Sequence, residues 1–143
     1  MQIKKLPTVL LITEDPVVQA FFEDAIDTLD DHALLLEKSS EEGLITLRNT
    51  FISFIIIDEK TPTLDLSSFC KKTRLLKEHE FTPILIISNH LKKTFTRSLL
   101  KAGATDFLRH PLDENEFLHR MEMAKESTKT RKKMLDLSHL FAQ

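Results

Sequence analysis

The stretch that most constrains the fold of this chain is Phe-Ile-Ser-Phe-Ile-Ile-Ile-Asp, from Phe51 to Asp58. Aromatic and β-branched residues fill it almost without interruption, which indicates a β-strand. A continuous apolar run, in contrast to an alternating one, is typical of a strand that is buried on both faces of a parallel sheet. The run ends in a single carboxylate, so the sequence predicts an acidic side chain where this strand leaves the core.

The remainder of the chain alternates between short apolar runs and segments with helical spacing. Further strands are predicted over residues 9–12, 33–38, 82–88 and 105–110. Helices are predicted to begin at or just after Pro16, Ser39, Asp65, Lys92 and Asp113. Five strands that alternate with five helices predict an α/β fold, with a five-stranded parallel sheet and helices on both faces.

The composition is that of an ordinary globular protein. Its 143 residues suffice for one domain, and the formal net charge of -2 gives no general attraction to nucleic acid or to an anionic membrane. The single cysteine, Cys70, excludes an internal disulfide and is predicted to be a small buried hydrophobic residue. The apolar run that starts at Val9 is too short to span a membrane, so we expect a cytoplasmic location without a membrane partner.

Polar side chains stand at the ends of four of the five predicted strands. In parallel α/β sheets, ligands bind where the carboxyl ends of the strands meet. Each of these residues alone is most simply a solvated loop residue, but their recurrence at four strand ends predicts a site. The residues are Thr13, Glu14, Asp58, Ser88 and His110.

The segment DEKTPTLDL, which begins at Asp58, resembles a loop of the receiver domains of two-component response regulators. In that family the phosphoacceptor loop reads Asp-x-x-Met-Pro-x-Met-Asp-Gly. Asp58, Pro62 and Asp65 fall on matching positions, and Leu64 is a conservative replacement. Leu66 stands where the family has its closing glycine.

Two further motifs carry the same resemblance, which covers about residues 6 to 125. Ser88, thirty residues after Asp58, occupies the family's Ser/Thr position at the end of an apolar strand. The segment GATDFLRHP is similar to the family's Gly-Ala-x-Asp-Tyr-Leu-x-Lys-Pro. Phe107 takes the place of the switch aromatic residue, and His110 takes the place of the lysine.

The resemblance implies a flavodoxin-like fold with strand order 2-1-3-4-5 and a role in phosphorelay signal transduction that is not that of an enzyme. A sensor histidine kinase or a phosphotransfer protein would phosphorylate Asp58, and Ser88 and His110 would bind the acyl phosphate. Ser88 and Phe107 would form the switch. Mg²⁺ is the implied cofactor, held by Asp58, by Glu14 and by the backbone carbonyl of Lys60.

Two positions depart from the family pattern. With Pro16 as the anchor, Thr13 and Glu14 fall on the acidic pair that binds the metal; a shift by one residue would put Glu14 and Asp15 there but lose the proline match. Histidine at position 110 is shorter than lysine and, with an ordinary pKa of about 6.5, is mostly neutral above pH 7. The sequence therefore predicts weaker Mg²⁺ binding and slower phosphotransfer, with activity that rises as the pH falls toward about 6.

Three hypotheses stay open at this point. The first is an atypical receiver that is phosphorylated on Asp58 and signals through Ser88 and Phe107. The second is a pseudo-receiver that serves as a phosphorylation-independent module for protein binding or dimerisation. The third is a metal site or small enzyme built from Glu14, Asp58 and His110, because imidazole and carboxylates together bind Zn²⁺ or Mn²⁺. The first is favoured over the second. The third is the least favoured, because no independent nucleophile or cofactor motif accompanies it.

The last predicted helix is longer than a receiver domain requires, so residues 1–125 are assigned to the receiver and 126–143 to a helical extension or linker. The inner part is expected to pack on the sheet through Phe117, Leu118, Met121 and Ala124. Further out, apolar residues at helical spacing have nothing left to cover them: Met134, Leu137 and Phe141. They suggest a partner helix or an output domain beyond this segment.

Receiver domains commonly form homodimers through the fourth helix, the fifth strand and the fifth helix, and the resemblance implies the same surface here. In this chain that surface comprises residues 92–107 together with the final helix. The sequence contains no helix-turn-helix after the receiver and no zinc-finger spacing. Direct binding of nucleic acid is therefore not expected.

Overall fold

The computed structural model describes residues 6–61, 65–89 and 91–141, so the loop matches Pro62 and Leu64 lie outside the described residues. The strands are β1 (Thr8–Ile12), β2 (Ala33–Glu37), β3 (Phe54–Asp58), β4 (Ile84–Ile87) and β5 (Asp106–Leu108). The helices are α1 (Pro16–Asp27), α2 (Ser40–Asn49), α3 (Leu66–Leu75), α4 (Lys93–Ala102) and α5 (Glu114–Phe141). A short 3₁₀ helix, Lys77–His79, follows α3.

All five strands are parallel, and their order across the sheet is β2-β1-β3-β4-β5. This confirms the predicted sheet and the strand order that the resemblance implied. β3 lies at the centre, and every one of its residues is buried. The strand order reverses between β1 and β3, so the carboxyl ends of these strands flank the crevice where such sheets bind ligands.

Helices cover both faces of the sheet, as predicted. Val9 and Leu11 of β1 pack in a core cluster with α1 and α5, whereas Leu10 and Ile12 pack with α2, α3 and α4 on the other face. This division follows from the alternation of side chains along a strand. Cys70 is fully buried in the second cluster, and burial raises the pKa of its thiol to about 11, which agrees with the predicted role as a small hydrophobic residue.

Side-chain caps fix where the helices start. The predicted caps all accept a hydrogen bond from a backbone N–H in the first turn of their helix, namely Ser39, Asp65 and Asp113. α1 has a cap that we did not predict: Oδ1 of Asp15 accepts from the N–H of Val17 at 2.9 Å. These caps hold the loops that follow β1, β2, β3 and β5 close to the carboxyl edge of the sheet.

The predicted start of the third strand is wrong. β3 begins at Phe54, three residues later than the predicted Phe51. The N–H of Ile52 donates to Nε2 of the His79 side chain at 3.0 Å instead of to a neighbouring strand, and pairing with β1 starts only at Ser53, whose N–H donates to the carbonyl of Thr8 at 2.9 Å. Because His79 is distant from Ile52 in the sequence, local strand propensity alone places the start of β3 too early.

The predicted end of the fifth strand, at residue 110, is also wrong. The carbonyl of Leu108 accepts the last sheet hydrogen bond, from the N–H of Ser88 at 3.0 Å. The N–H of His110 donates to Oδ1 of the Asn89 side chain at 3.3 Å, and Pro111 has no N–H with which to continue a sheet. His110 therefore lies in the loop after β5 and not at the last strand position.

The final helix, α5, spans 28 residues, which agrees with the prediction of a long C-terminal helix. Its inner part packs under the sheet as expected, through Phe117, Leu118, Met121 and Ala124. Every side chain from residue 129 to residue 140 is exposed. In the part of the chain that the structure describes, no helix is both long enough and apolar enough to cross a membrane.

Candidate functional site

A cleft of about 570 Å³ opens at the carboxyl edge of the sheet. It is formed by the loops that follow β1, β3, β4 and β5, which is the position that the parallel topology favours for a ligand. Two residues of the sequence-predicted site, Asp58 and His110, line the same cleft. The full lining is Asp15, Val17, Val18, Phe21, Asp58, Lys60, Asn89, His110, Pro111 and Leu112.

Asp58 is the last residue of β3 and is 3% exposed. Oδ2 accepts a hydrogen bond from the hydroxyl of Thr13 at 2.9 Å, and Oδ1 accepts one from the N–H of Lys60 at 3.0 Å. The carbonyl of Asp58 accepts from the N–H of Thr61 at 2.9 Å, which closes a tight turn directly after the strand. Both oxygens of this buried carboxylate therefore have a donor, as a buried charge requires.

Thr13 connects the ends of β1 and β3. It is 2% exposed, and its hydroxyl also accepts a hydrogen bond from the N–H of Asp15 at 3.1 Å. A neutral donor thus stands beside Asp58, where a second carboxylate would repel it. Glu14, the remaining member of the predicted acidic pair, is exposed and is not part of the cleft lining, whereas Asp15 is.

Ser88 directly follows β4 and is 2% exposed. Its hydroxyl donates to Oε2 of Glu59 at 2.5 Å. Glu59 is the neighbour of Asp58 in the chain, so the residue predicted to bind the phosphoryl group contacts a carboxylate directly beside the predicted acceptor. No spacing pattern in the sequence marks Glu59 for this contact.

His110 is half-buried, and it approaches the site from the loop after β5. Its backbone is tied to β4 through the side chain of Asn89, which also lines the cleft. Arg109, the neighbouring residue, is exposed and is not part of the lining. The imidazole of His110, and not the guanidinium of Arg109, is therefore the basic side chain of this loop that lines the cleft with Asp58.

Comparison with known proteins identifies the family of this chain. A family model described as "Response regulator receiver domain" matches residues 9–122. The chain belongs to this family. Among curated proteins, the receiver is similar to the response regulator ArlR of Staphylococcus aureus strain Mu50, with 28% identity over 114 residues, which make up 80% of this chain and 51% of ArlR. The chain thus spans about half the length of the curated relatives it matches.

Solved receiver structures share the fold. The receiver domain of sensor histidine kinase PA1611 from Pseudomonas aeruginosa PAO1, described with a magnesium ion in its active site cleft, is 20% identical with a TM-score of 0.75, and the match covers 85% of this chain and 99% of that one. The chemotaxis response regulator CheY4 of Vibrio cholerae is 18% identical with a TM-score of 0.77, covering 84% and 99%. At these identities the likeness establishes the fold alone.

The donor set of this receiver can be compared with what metals require. Asp58 and Lys60, two of the three predicted ligands, lie in the cleft together with Asp15. Among the described residues, no three or more His, Cys, Asp or Glu side chains form a group suited to a metal ion. The hypothesis of a Zn²⁺ or Mn²⁺ centre of Glu14, Asp58 and His110 therefore has no ligand cluster to support it. Mg²⁺ needs fewer protein ligands, because it keeps several waters and binds through one or two carboxylates.

Phe107, the predicted switch residue, lies within β5 and is half-buried. It packs against the core cluster that α3 and α4 share, on the face of the sheet that also buries Leu99 of α4. The structure thus brings Phe107 near the helix that the predicted dimer surface contains.

Proposed function

We propose that this receiver domain accepts a phosphoryl group on Asp58 from a sensor histidine kinase or a phosphotransfer protein, in a pocket weakened at Thr13 and His110. The observation that carries the proposal is the placement of Asp58. Its carboxylate is almost fully buried and held by two donors, yet it lines a cleft that also contains His110. A carboxylate with a purely structural role has no need of an open cleft in front of it.

The proposed reaction is a transfer between two nucleophiles. An oxygen of Asp58 forms a bond to phosphorus while the bond from phosphorus to the histidine nitrogen of the donor breaks, and the nitrogen leaves with the electron pair. Negative charge spreads over three phosphoryl oxygens during the transfer, so the pocket has to supply positive charge and hydrogen-bond donors. In this chain the candidate donors are the hydroxyl of Ser88 and the imidazole of His110, which occupies the position of the family's lysine.

Mg²⁺ fits the oxygen-rich donors of the cleft. Asp58 and the backbone carbonyl of Lys60 would hold it, together with Glu14 as the predicted second carboxylate or with Asp15, which lines the cleft. The ion would neutralise charge on the phosphoryl oxygens. Thr13 offers a hydroxyl in place of a carboxylate, so we expect weaker binding than in receivers with the full acidic pair. The magnesium ion in the cleft of the PA1611 receiver supports this assignment.

The proposed output runs through Ser88 and Phe107 to a homodimer or partner surface formed by α4, β5 and α5. The packing of Phe107 against the α4 side of the core supports this route. Residues 126–143 would act as a linker to an output domain in a cytoplasmic regulator, and the full exposure of side chains 129–140 is consistent with a partner there. The side chain of Phe141, which we predicted to share that contact, lies outside the described residues.

A second candidate function is a pseudo-receiver that binds or dimerises without phosphorylation. One observation favours it: Asp58 and Ser88 already have hydrogen-bond partners within the protein. Thr13 and the N–H of Lys60 occupy the oxygens of Asp58, and the Ser88 hydroxyl contacts Glu59. Such a pocket is stable as it stands and does not require a ligand.

Intact-mass spectrometry after incubation with Mg²⁺ and acetyl phosphate separates the two functions. The atypical receiver gains the mass of one phosphoryl group, and Asp58→Asn abolishes the gain. The pseudo-receiver gains nothing, and the double substitution Thr13→Asp with His110→Lys, which restores the family's residues at these two positions, should then rescue the gain. A gain that persists in Asp58→Asn would place the phosphoryl group elsewhere and contradict the proposal.

A further inference from the structure

The contact between Ser88 and Glu59 is not used by the proposed reaction. The hydroxyl of Ser88, the residue proposed to bind the phosphoryl group, donates to Oε2 of Glu59 at 2.5 Å. At this O–H···O distance the bond is of the charge-assisted kind, which is about twice as strong as a bond between neutral groups. Glu59 directly follows Asp58, the proposed phosphoacceptor, in the chain.

The sheet fixes the backbone on both sides of this contact. The N–H of Glu59 donates to the carbonyl of Ile87 at 2.9 Å, and the N–H of Ser88 donates to the carbonyl of Leu108 at 3.0 Å. These bonds extend the pairing of β3 with β4 and of β4 with β5 by one residue. The Ser88 hydroxyl can therefore change its acceptor by a side-chain rotation, without any rearrangement of the fold.

We propose that Glu59 is a positioning residue that holds the Ser88 hydroxyl in the unphosphorylated arrangement. The inference rests on the proposed phosphorylation of Asp58. A hydroxyl carries one proton, so Ser88 donates it either to Glu59 or to a phosphoryl group on Asp58. Phosphorylation then exchanges one hydrogen bond for the other, and Ser88 keeps its proton throughout.

The charge of Glu59 favours the unphosphorylated arrangement for two reasons. It makes Glu59 a strong acceptor for Ser88, and it adds a negative charge beside the position where the phosphoryl group brings more. With His110 in place of the family's lysine, less positive charge is present to offset this effect. The apparent affinity for a phosphoryl mimic is lowered by the fraction of molecules in which Ser88 remains with Glu59.

Titration calorimetry with beryllofluoride and Mg²⁺ on the full 143-residue chain tests the inference. Glu59→Gln replaces a charged acceptor by a neutral one, and we expect beryllofluoride to bind about fivefold more tightly. Glu59→Asp keeps the charge but withdraws the carboxylate by one methylene group, and we expect tighter binding here as well. A Glu59→Asp variant that binds like the wild type would show that charge alone matters and would overturn the inference.

A matched control exists at the same edge of the sheet. Oε1 of Glu37, the last residue of β2, accepts a hydrogen bond from the hydroxyl of Thr46 at 3.1 Å. Glu37→Gln therefore removes the same charge from the same kind of contact, but away from Ser88. We expect it to leave the affinity for beryllofluoride unchanged, and an increase equal to that of Glu59→Gln would contradict the inference.

The Ser88→Ala background decides whether Glu59 acts through Ser88. In that background, Glu59→Gln should no longer change the affinity, since the hydroxyl that it releases is gone. A fivefold gain that persists would mean that Glu59 acts on the site by another route. Urea unfolding of Glu59→Gln, of Ser88→Ala and of the double variant measures the same contact without a ligand. We expect the losses in the free energy of unfolding to be non-additive. Additive losses would overturn the inference.

The outcomes for the inference and for the proposed function are distinct. If the wild type binds beryllofluoride and the Glu59 variants do not differ from it, the inference fails and phosphorylation of Asp58 stands. If Glu59→Gln binds and the wild type does not, Glu59 is shown to block the site. If no variant binds, the proposed function is refuted and the inference is refuted with it.

Discussion

Polar side chains are wholly or partly buried at both edges of the sheet, but their hydrogen-bond partners differ. At the amino edge, the guanidinium of Arg74 donates to backbone carbonyls of Gly103, His79 and Thr82, at distances between 2.6 and 3.0 Å. At the carboxyl edge, the hydroxyl of Thr13 donates to the side chain of Asp58, and the hydroxyl of Ser88 donates to the side chain of Glu59. A backbone carbonyl cannot leave its position without local unfolding, whereas a side chain changes partners by rotation.

The amino edge is accordingly built for stability. Burial lowers the pKa of Arg74, which reports how far its charge is withdrawn from water. Gly103 ends α4 with a φ of 124°, and an added Cβ there would lie 2.7 Å from Cγ of Arg74. Glycine is thus required at this position both by the left-handed backbone and by the close approach of the arginine. Among the described residues around Asp58, no charged side chain donates to backbone carbonyls as Arg74 does, which is consistent with a site that exchanges hydrogen bonds.

The largest effect is expected from Arg74→Met. The methionine retains an unbranched apolar stem but leaves the carbonyls of Gly103 and Thr82 without their charged donor. We expect a loss of about 3 kcal/mol in the free energy of unfolding, measured by urea titration. Beryllofluoride binding by the folded fraction should not change. Arg97→Met, an exposed arginine of α4, is the control and should cost less than about 0.5 kcal/mol.

If Arg74→Met costs no more than Arg97→Met, the amino edge is not the anchor that its hydrogen bonds indicate. If it abolishes binding of beryllofluoride at temperatures where the chain is folded, the two edges are coupled. Either result breaks the division of roles between the two edges.

The next effect is expected at the carboxyl edge, from Thr13→Asp. The carboxylate introduced at position 13 would then face the carboxylate of Asp58. We expect a loss of about 2 kcal/mol in the free energy of unfolding in the absence of Mg²⁺. Millimolar Mg²⁺ should recover much of it, because ligand binding stabilises the folded state. Thr13→Val removes the hydroxyl without adding charge and is the control. Its loss should be of similar size but independent of Mg²⁺, as measured by thermal unfolding.

A Thr13→Asp variant that Mg²⁺ does not stabilise would show that the missing carboxylate is not what weakens the metal site. The geometry of Asp15 or Glu14 would then have to account for it. A Mg²⁺ effect of equal size in Thr13→Val would show that the carboxylate introduced at position 13 does not contribute to binding of the ion.

The sequence predicted the sheet well because its strands are buried on both faces. The runs of consecutive apolar residues in β1, β3 and β4 differ from the spaced apolar residues of a helix with one buried face. They therefore identify strands without knowledge of which strands pair. The boundaries of β3 and β5 were wrong because they depend on distant groups. The N–H of Ile52 pairs with His79, and the N–H of His110 pairs with Asn89.

The candidate site was predictable to a smaller extent. The positions of Asp58, Ser88 and His110 at or near the ends of strands predicted a site at the carboxyl edge of the sheet. Asp58 and His110 line the cleft there, whereas Ser88 is not among its lining residues. Glu59 and Asn89 were missed, since their contacts arise between loops that the sequence does not bring together. The cap at Asp15 had a signal, because an aspartate directly before a proline at the first helical position is typical of a helix start.

A smaller effect is expected from pH at the amino edge, through His79. Burial lowers the pKa of its imidazole, an effect that Arg74 reinforces and Glu78 opposes. The unfolded chain therefore binds a proton first as the pH falls. The stability that neutral His79 contributes is complete above its ordinary pKa of about 6.5 and is lost as the pH drops below it. Unfolding titrations between pH 7.5 and 5.5 should reveal this loss.

His79→Gln is the matched variant for this titration. Its side-chain carbonyl can still accept the hydrogen bond that Nε2 of His79 now accepts from the N–H of Ile52, but it does not titrate. We expect the variant to lose less stability than the wild type over the same pH range. Equal losses would assign the pH dependence to other groups, and the amino edge would then not be sensitive to acid.

The smallest effect is expected from Ser40→Ala, and it sharpens the comparison within the carboxyl edge. Ser40 opens α2, is 2% exposed, and its hydroxyl has no hydrogen-bond partner among the described residues. Removing an unpaired buried hydroxyl should change the free energy of unfolding by less than about 0.5 kcal/mol, or raise it slightly. Ser39→Ala, one residue earlier, removes the cap that accepts from the N–H of Glu42 and should cost about 1 kcal/mol. If Ser40→Ala costs more than Ser39→Ala in the same urea titration, a polar group that pairs with Ser40 is present in solution, and the carboxyl edge is more tightly bonded than its side-chain contacts indicate.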